Sequence, residues 1–180
     1  LGLCFIGQTE NICPADKKIY ALRDVTGTVE SLPLICASIM SKKIAEGIKG
    51  LVLDVKAGNG AFMKTKDQAF QLANHLKAIG EGYGLKVRAL VTNMNQPLGQ
   101  YVGNAVEIKE CLSILQRDHS SPHFSYSLFE DTEVLSLELA AQMVAIGLNI
   151  ETDQARTQCK EALDSGRAYE AFAKTCQAQG

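Results

Sequence analysis

The sequence predicts an α/β fold, in which a parallel-type sheet is flanked by helices. Two apolar runs, at residues 51–55 and 86–92, have the length and composition of buried strands. A loop and then a segment with helical spacing of apolar residues follow each run, and this alternation is typical of parallel α/β layers. Two further helices, predicted within residues 14–46, have no strand partner of their own.

The chain before residue 51 is predicted to contain one short strand and these two helices. Residues 3–6 are apolar and end at a glycine, which predicts a buried strand. Pro14 suits the first turn of a helix over residues 14–24. Ser31 predicts the cap of the second helix, which should stop at one of the glycines that follow residue 46.

The rest of the chain continues the alternation and then becomes helical. Gly58 and Gly60 predict a tight loop after the strand at residues 51–55. The polar residues 117–127 predict an exposed loop, and Gly147 and Gly166 predict breaks between the last helices. Helices are predicted over residues 66–80, 104–116, 131–146, 152–164 and 167–178.

The composition argues against several classes of protein. The chain has 180 residues, of which 46% are hydrophobic and 21% charged, and a net charge of −2. This is ordinary for a globular domain, and no basic excess predicts nucleic acid as a partner. No run approaches the ~20 apolar residues of a membrane helix, so no membrane partner is predicted.

The six cysteines predict free thiols rather than a disulfide framework. None of them forms a CxxC pair, and no clustered ligand spacing suggests zinc. The opening LGLCFIG lacks the basic region and cleavage site of a signal peptide. We therefore expect a reduced, cytoplasmic protein.

The two early helices carry the candidate binding residues. Tyr20 and Arg23 lie one helical turn apart, as do Ser38 and Lys42, and Ile35 extends the second stripe. Two cations, a hydroxyl, an aromatic ring and an aliphatic wall suit a flat ring whose carbonyl oxygens gain negative charge. The alternative is a solvated face, because Arg and Lys on helices usually point to water and Ser often bonds its own backbone.

Three segments resemble the thymidine phosphorylase and pyrimidine-nucleoside phosphorylase family. They are PADKKIYALRDVTGTVESLPLICASIMSKK, GLVLDVKAGNGAF and MNQPLGQYVGNAVEIKE, and they stand in the family's order. The resemblance implies that residues 14–46 belong to a small all-helical domain, with residues 1–13 at the edge of a larger α/β domain formed by residues 49–180. It also implies a much longer chain with an upstream phosphate loop, so we expect these 180 residues to be a fragment that is inactive alone.

Members of this family cleave pyrimidine nucleosides with phosphate, giving free base and (deoxy)ribose 1-phosphate. The resemblance therefore implies thymidine, uridine or both as substrate, phosphate as co-substrate, no organic cofactor, and a homodimer at full length. Arg23 and Lys42 are the expected catalytic donors, because donors aimed at the departing base stabilise its negative charge. Gly58 and Gly60 are expected to let an aromatic residue reach the base. The positions that match the base site are Tyr20, Arg23, Val29, Ile35, Ser38, Lys42 and Phe62.

The resemblance further implies a site for a monovalent cation, with potassium as the candidate. The matching positions are Leu98 and Tyr101, through main-chain oxygens, and Glu110, through its carboxylate. Oxygen ligands of this kind suit a hard cation. The alternative is that Glu110 is an ordinary solvated residue on a helix.

Two alternatives to this function stay open. One is a related phosphorylase or phosphoribosyltransferase that acts on another substrate, such as a nucleoside monophosphate or anthranilate. The set of Tyr20, Arg23, Ser38 and Lys42 argues against it, because that set suits an unphosphorylated pyrimidine. The other is a non-catalytic remnant that binds without turnover, which the presence or absence of an upstream phosphate loop would decide.

Overall fold

The computed structural model describes residues 2–7 and 11–180, and the described residues form seven helices and a two-stranded parallel sheet. A short 3₁₀ turn, Tyr126–Leu128, lies between α4 and α5. This mixture of a parallel sheet with flanking helices confirms the predicted fold class. The elements in order are α1 (Pro14–Val25), α2 (Leu32–Ala45), β1 (Gly50–Ala57), α3 (Lys66–Gly82), β2 (Lys86–Asn93), α4 (Asn104–Gln116), α5 (Glu130–Leu148), α6 (Thr152–Asp164) and α7 (Arg167–Gln179).

The chain forms two compact units. The first unit, Gly7–Gln96, holds α1, α2, β1, α3 and β2, and the second holds α4 to α7 together with the start of the chain. The predicted domain boundaries at residues 13, 46 and 49 concern the domains of a longer protein, and they stay predictions.

The core of the first unit lies where α2 and α3 meet the sheet. β1 and β2 pair in parallel, with Gly50 opposite Lys86 and Ala57 opposite Asn93. Parallel strands need a crossover connection, which α3 provides. A capping box fixes the start of α3, where Thr65 and Gln68 bond each other's backbone N–H groups. The buried residues of this core include Ile35, Cys36, Met40, Leu51, Val55, Leu72, Leu76 and Val87.

The second unit is helical, and an arginine joins three of its elements. Arg117 follows α4 in a left-handed conformation, and its guanidinium lies 2.5 Å from both Glu133 on α5 and Asp164 on α6. Phe129 is fully buried just before α5. Among the described residues, no single helix has the length and apolar composition needed to cross a membrane. Only α5 and α6 taken together have that length and composition, and this pair is bent by 116°.

Three details of the predicted elements are wrong. Residues 3–6 form no strand, and Phe5 is 59% exposed there, because an apolar run becomes a strand only when a neighbouring strand pairs with it. Gly147 lies inside α5, which ends one residue later at Leu148, where the next residue, Asn149, takes a left-handed conformation. The loop after α4 is less exposed than predicted, since Phe124 and Tyr126 pack against the second unit's core.

Candidate functional site

The first unit contains a cavity of about 660 Å³. Its wall comes from α1, α2, β1, the loop after β1, α3 and the turn after β2. A volume of this size is typical of sites for small organic ligands. The lining residues are Tyr20, Arg23, Glu30, Ile35, Ser38, Ile39, Leu53, Asp54, Val55, Lys56, Gly60, Ala61, Phe62, Met63, Lys64, Leu72, Leu76 and Met94.

Arg23 is held in place by the turn that joins α1 to α2. Its side chain is largely buried, with 5% of the residue's surface exposed. The guanidinium donates to the backbone carbonyls of Thr28, at 3.4 Å, and Val29, and it lies 5.2 Å from the centre of the Tyr20 ring. Because a guanidinium has further N–H groups, this fixed group still has donors for a ligand in the cavity.

Ser38 and Lys42 form one hydrogen-bonded group on α2. The Lys42 ammonium donates to the Ser38 hydroxyl oxygen at 3.0 Å and pairs with the Asp16 carboxylate of α1 at 2.5 Å. Ser38 is buried and lines the cavity, whereas Lys42 is not part of the lining. Lys42 therefore reaches the cavity through the serine.

Of the apolar residues predicted to contact the base, some line the cavity and one does not. Ile35 and Phe62 line the cavity, one buried and the other exposed, and Val29 does not line it. Gly58 has φ 133°, and a side chain there would meet the backbone N of Asn95 at 2.9 Å. Glycine thus lets the loop that carries Phe62 pack against the turn after β2. The ligand roles of all these residues stay predictions.

A polar network lies on the strands, and its third member, Thr92, is not predicted by the sequence. Lys56 pairs with Asp54 at 2.7 Å and donates to the Thr92 hydroxyl at 3.0 Å, and that hydroxyl donates to Asp54. Asp54 and Lys56 both contribute to the cavity wall. Their alternate spacing on a strand places them on one face. Only the pairing of β1 with β2 brings Thr92 to them.

No histidine or cysteine lines this cavity within the described part of the chain. His75 lies on the exposed side of α3, and its ring contacts the Gln71 carbonyl at 2.6 Å. Burial raises the pKa of the Cys36 thiol, which keeps that core residue in its unreactive, protonated form. The chemistry available in the cavity is therefore hydrogen bonding and charge, cationic from Arg23, Lys56 and Lys64 and anionic from Glu30 and Asp54.

The predicted cation positions lie in the second unit, and the alternative that Glu110 is an ordinary solvated residue is wrong. The exposed fraction of Glu110 is 4%. Its carboxylate accepts hydrogen bonds from the backbone N–H groups of Gln100, at 3.1 Å, and Tyr101, at 3.3 Å, and from the Thr132 hydroxyl at 2.8 Å. A side chain at Gly99 would come within 1.9 Å of this carboxylate. Glu110 thus anchors the segment before α4.

The atoms around Glu110 fit a hard monovalent cation only in part. Thr132 offers a hydroxyl oxygen beside the carboxylate, and oxygen donors are what such an ion requires. However, no group of three or more His, Cys, Asp or Glu residues that could hold a metal occurs in the described residues. An ion here would need main-chain oxygens, as predicted for Leu98 and Tyr101, and this role stays a prediction.

Known proteins similar to this chain extend these observations. Residues 1–169 match a family described as the glycosyl transferase family, a/b domain. The chain is 47% identical over 176 residues to the pyrimidine-nucleoside phosphorylase of Bacillus subtilis (strain 168), and 48% identical over 176 residues to those of Staphylococcus aureus (strain bovine RF122 / ET3-1) and Staphylococcus haemolyticus (strain JCSC1435). These matches cover 97% of this chain and 39% of each relative, so the chain spans about two fifths of their length.

The family resemblance predicted from three ordered segments is confirmed by these matches. The covered part includes both early helices, both strands and the segment around Glu110. The chain belongs to the glycosyl transferase family that carries this a/b domain.

Proposed function

We propose that this chain is the base-binding part of a pyrimidine-nucleoside phosphorylase. The observation that carries the proposal is the cavity in which Arg23 and Ser38 stand beside Tyr20, Ile35 and Phe62. A pyrimidine base is a flat ring with polar edges, and this wall combines donors with aromatic and aliphatic surface. The similarity to named pyrimidine-nucleoside phosphorylases supports the same substrate class.

The reaction proposed is phosphorolysis of the bond between base and sugar. Phosphate forms a new C–O bond at the sugar while the C–N bond breaks, and the electron pair of that bond leaves with the base. Arg23 stabilises the resulting anion, because its charge is permanent and its orientation is already fixed by Thr28 and Val29. By analogy with oxyanion donors, loss of Arg23 should cost about 3 kcal/mol of transition-state stabilisation.

Lys42 acts on the base through Ser38 in this proposal. Positive charge behind the serine strengthens its hydroxyl as a donor, since hydrogen bonds polarise one another in chains. Tyr20 and Phe62 supply faces for stacking and are exposed before a substrate binds. The substrate would be thymidine, uridine or both.

The remaining parts of the proposal concern the whole enzyme. We infer that the phosphate site lies in sequence outside these residues, as the family resemblance implies, and the chain spans 39% of the relatives' length. The 180 residues alone should then be inactive, and a homodimer with a small helical domain, no organic cofactor and a potassium ion near Glu110 is proposed for the full-length protein. Binding without turnover is the alternative.

A chimera tests the function. The matching segment of the Bacillus subtilis phosphorylase would be replaced by this chain, and release of base from thymidine, uridine, cytidine and a nucleoside monophosphate would be measured with phosphate present. We expect turnover of thymidine or uridine, and a loss of about 100-fold in kcat/KM for Arg23→Met. Arg167→Met, an exposed cation of the second unit, is the matched control and should retain activity.

Two results would contradict the proposal. An active chimera that is indifferent to Arg23→Met would show that the cavity does not hold the base. A folded chimera that binds pyrimidines but releases no base would favour the non-catalytic alternative. Activity of the isolated 180 residues would overturn the expected inactivity of this part alone.

A further inference from the structure

We propose that Asp16 is a positioning residue that determines which hydrogen-bonding groups Ser38 presents to the cavity. This inference rests on the proposed function, because it concerns the ring bound there. The observation behind it is the chain of contacts from the Asp16 carboxylate to the Lys42 ammonium and from that ammonium to the Ser38 hydroxyl.

The contacts among Asp16, Lys42 and Ser38 are short, and the side chains that make them are partly shielded from water. Asp16 on α1 lies 2.5 Å from Lys42 on α2, and the two side chains are 10% and 25% exposed. The same ammonium lies 3.0 Å from the Ser38 oxygen one turn back on α2. A lysine side chain is long and flexible, so the carboxylate of the neighbouring helix is what holds its end over the serine.

An ammonium can only donate, so the Ser38 oxygen must accept in this contact. The hydroxyl hydrogen is then left for another partner, and no described residue accepts it. Since Ser38 lines the cavity, this hydrogen is available to a ligand there. Ser38 therefore presents its hydroxyl hydrogen and one remaining lone pair, whereas Arg23 can act only as a donor.

Such a wall discriminates between ring carbonyl and ring amino groups. A carbonyl oxygen accepts from Ser38 and Arg23, as in uracil and thymine. An amino group at the same place, as in cytosine, would set donor against donor at Arg23 and would share the Ser38 oxygen with the Lys42 ammonium, which is costly when these groups are desolvated. Without Asp16, the ammonium is free to leave Ser38, and the hydroxyl oxygen then accepts from an amino group without competition from a neighbouring cation.

The test measures binding of free uracil and free cytosine to the 180-residue chain by calorimetry, with circular dichroism as the check on folding. We expect uracil to bind more tightly, and Asp16→Asn to weaken uracil binding about tenfold while reducing the preference over cytosine. Glu46→Gln is the matched control, because it removes the neighbouring exposed Lys43–Glu46 ion pair on α2, and it should change neither affinity.

A second variant separates positioning from a general effect on folding. In a chain that already carries Ser38→Ala, Asp16→Asn should cause little further loss, because its effect passes through the serine. An equal loss in both backgrounds, or unchanged uracil binding in Asp16→Asn, would overturn the inference. If the folded unmodified chain binds no uracil, the assignment of the cavity to the base fails, and the inference fails with it.

Discussion

Replacement of Glu110 by alanine should destabilise the second unit, because this buried carboxylate holds the segment that leads into α4. Its oxygens accept three hydrogen bonds, from the backbone of Gln100 and Tyr101 and from Thr132 on α5. Alanine removes all three acceptor contacts at once. The backbone N–H groups of Gln100 and Tyr101 and the Thr132 hydroxyl must then bond to water or remain unpaired.

The size of the effect follows from these contacts. Each hydrogen bond contributes about 1 kcal/mol, and the values are at the higher end when one partner is charged. Gln100 is exposed and Tyr101 is half-buried, so their N–H groups can regain some hydration. Alanine also improves helix propensity by a few tenths of a kcal/mol. We expect a net loss of about 2–3 kcal/mol in the free energy of unfolding.

Urea unfolding of the 180-residue chain measures this loss. The chain has no tryptophan and five tyrosines, and Tyr101 stacks on Phe124 with the ring centres 4.8 Å apart. Near-ultraviolet circular dichroism of the tyrosines should therefore report on this region. Glu107→Ala, an exposed site on the same helix, is the control. If Glu110→Ala shifts the unfolding midpoint no more than the control does, Glu110 is no anchor.

The same assay separates an anchor from a cation ligand. Anything that binds only the folded state raises its stability with concentration. Potassium chloride, compared with choline chloride at equal ionic strength, should raise the midpoint of the unmodified chain and not that of Glu110→Gln if the cation site exists. Equal midpoints in both salts would remove the potassium site and leave the anchoring role intact.

Two further predictions concern local geometry and pH. Gly58→Ala should destabilise the first unit by about 2 kcal/mol or more, because the φ of Gly58 and its backbone contacts exclude a side chain. Gly82 has free space around it, so Gly82→Ala should be neutral or stabilising in the same unfolding assay. Hydrogen bonds from Lys160 and Arg117 lower the pKa of the Asp164 carboxyl. The stability that the ionised carboxylate contributes is therefore present above its unfolded pKa of about 4 and is lost as the pH falls below that value. Asp164→Asn should reduce the fall in melting temperature between pH 5 and pH 3. An unchanged slope of melting temperature against pH would contradict this.

Local sequence patterns predicted most of the helices because a helix depends on nearby residues. The bounds predicted for residues 104–116 agree with α4, and Pro14 begins α1 as expected. Strands are harder to predict from local sequence, because the strand that each one pairs with is distant in the chain. Residues 3–6 have the composition of a strand but pair with no other strand in the described part of the chain, and β1 and β2 extend beyond their apolar runs.

The sequence by itself determined the family, the order of the elements from α1 to α7 and the helical faces that carry Tyr20, Arg23 and Ser38, because these depend on residue identity and short-range spacing. Only the tertiary structure decided that Asp16 holds Lys42 away from the cavity lining and that Glu110 is buried under a backbone segment. The reason is physical: a contact between distant residues depends on how packed helices and strands approach, and a hydrogen-bonding group takes whichever partner that packing brings within reach.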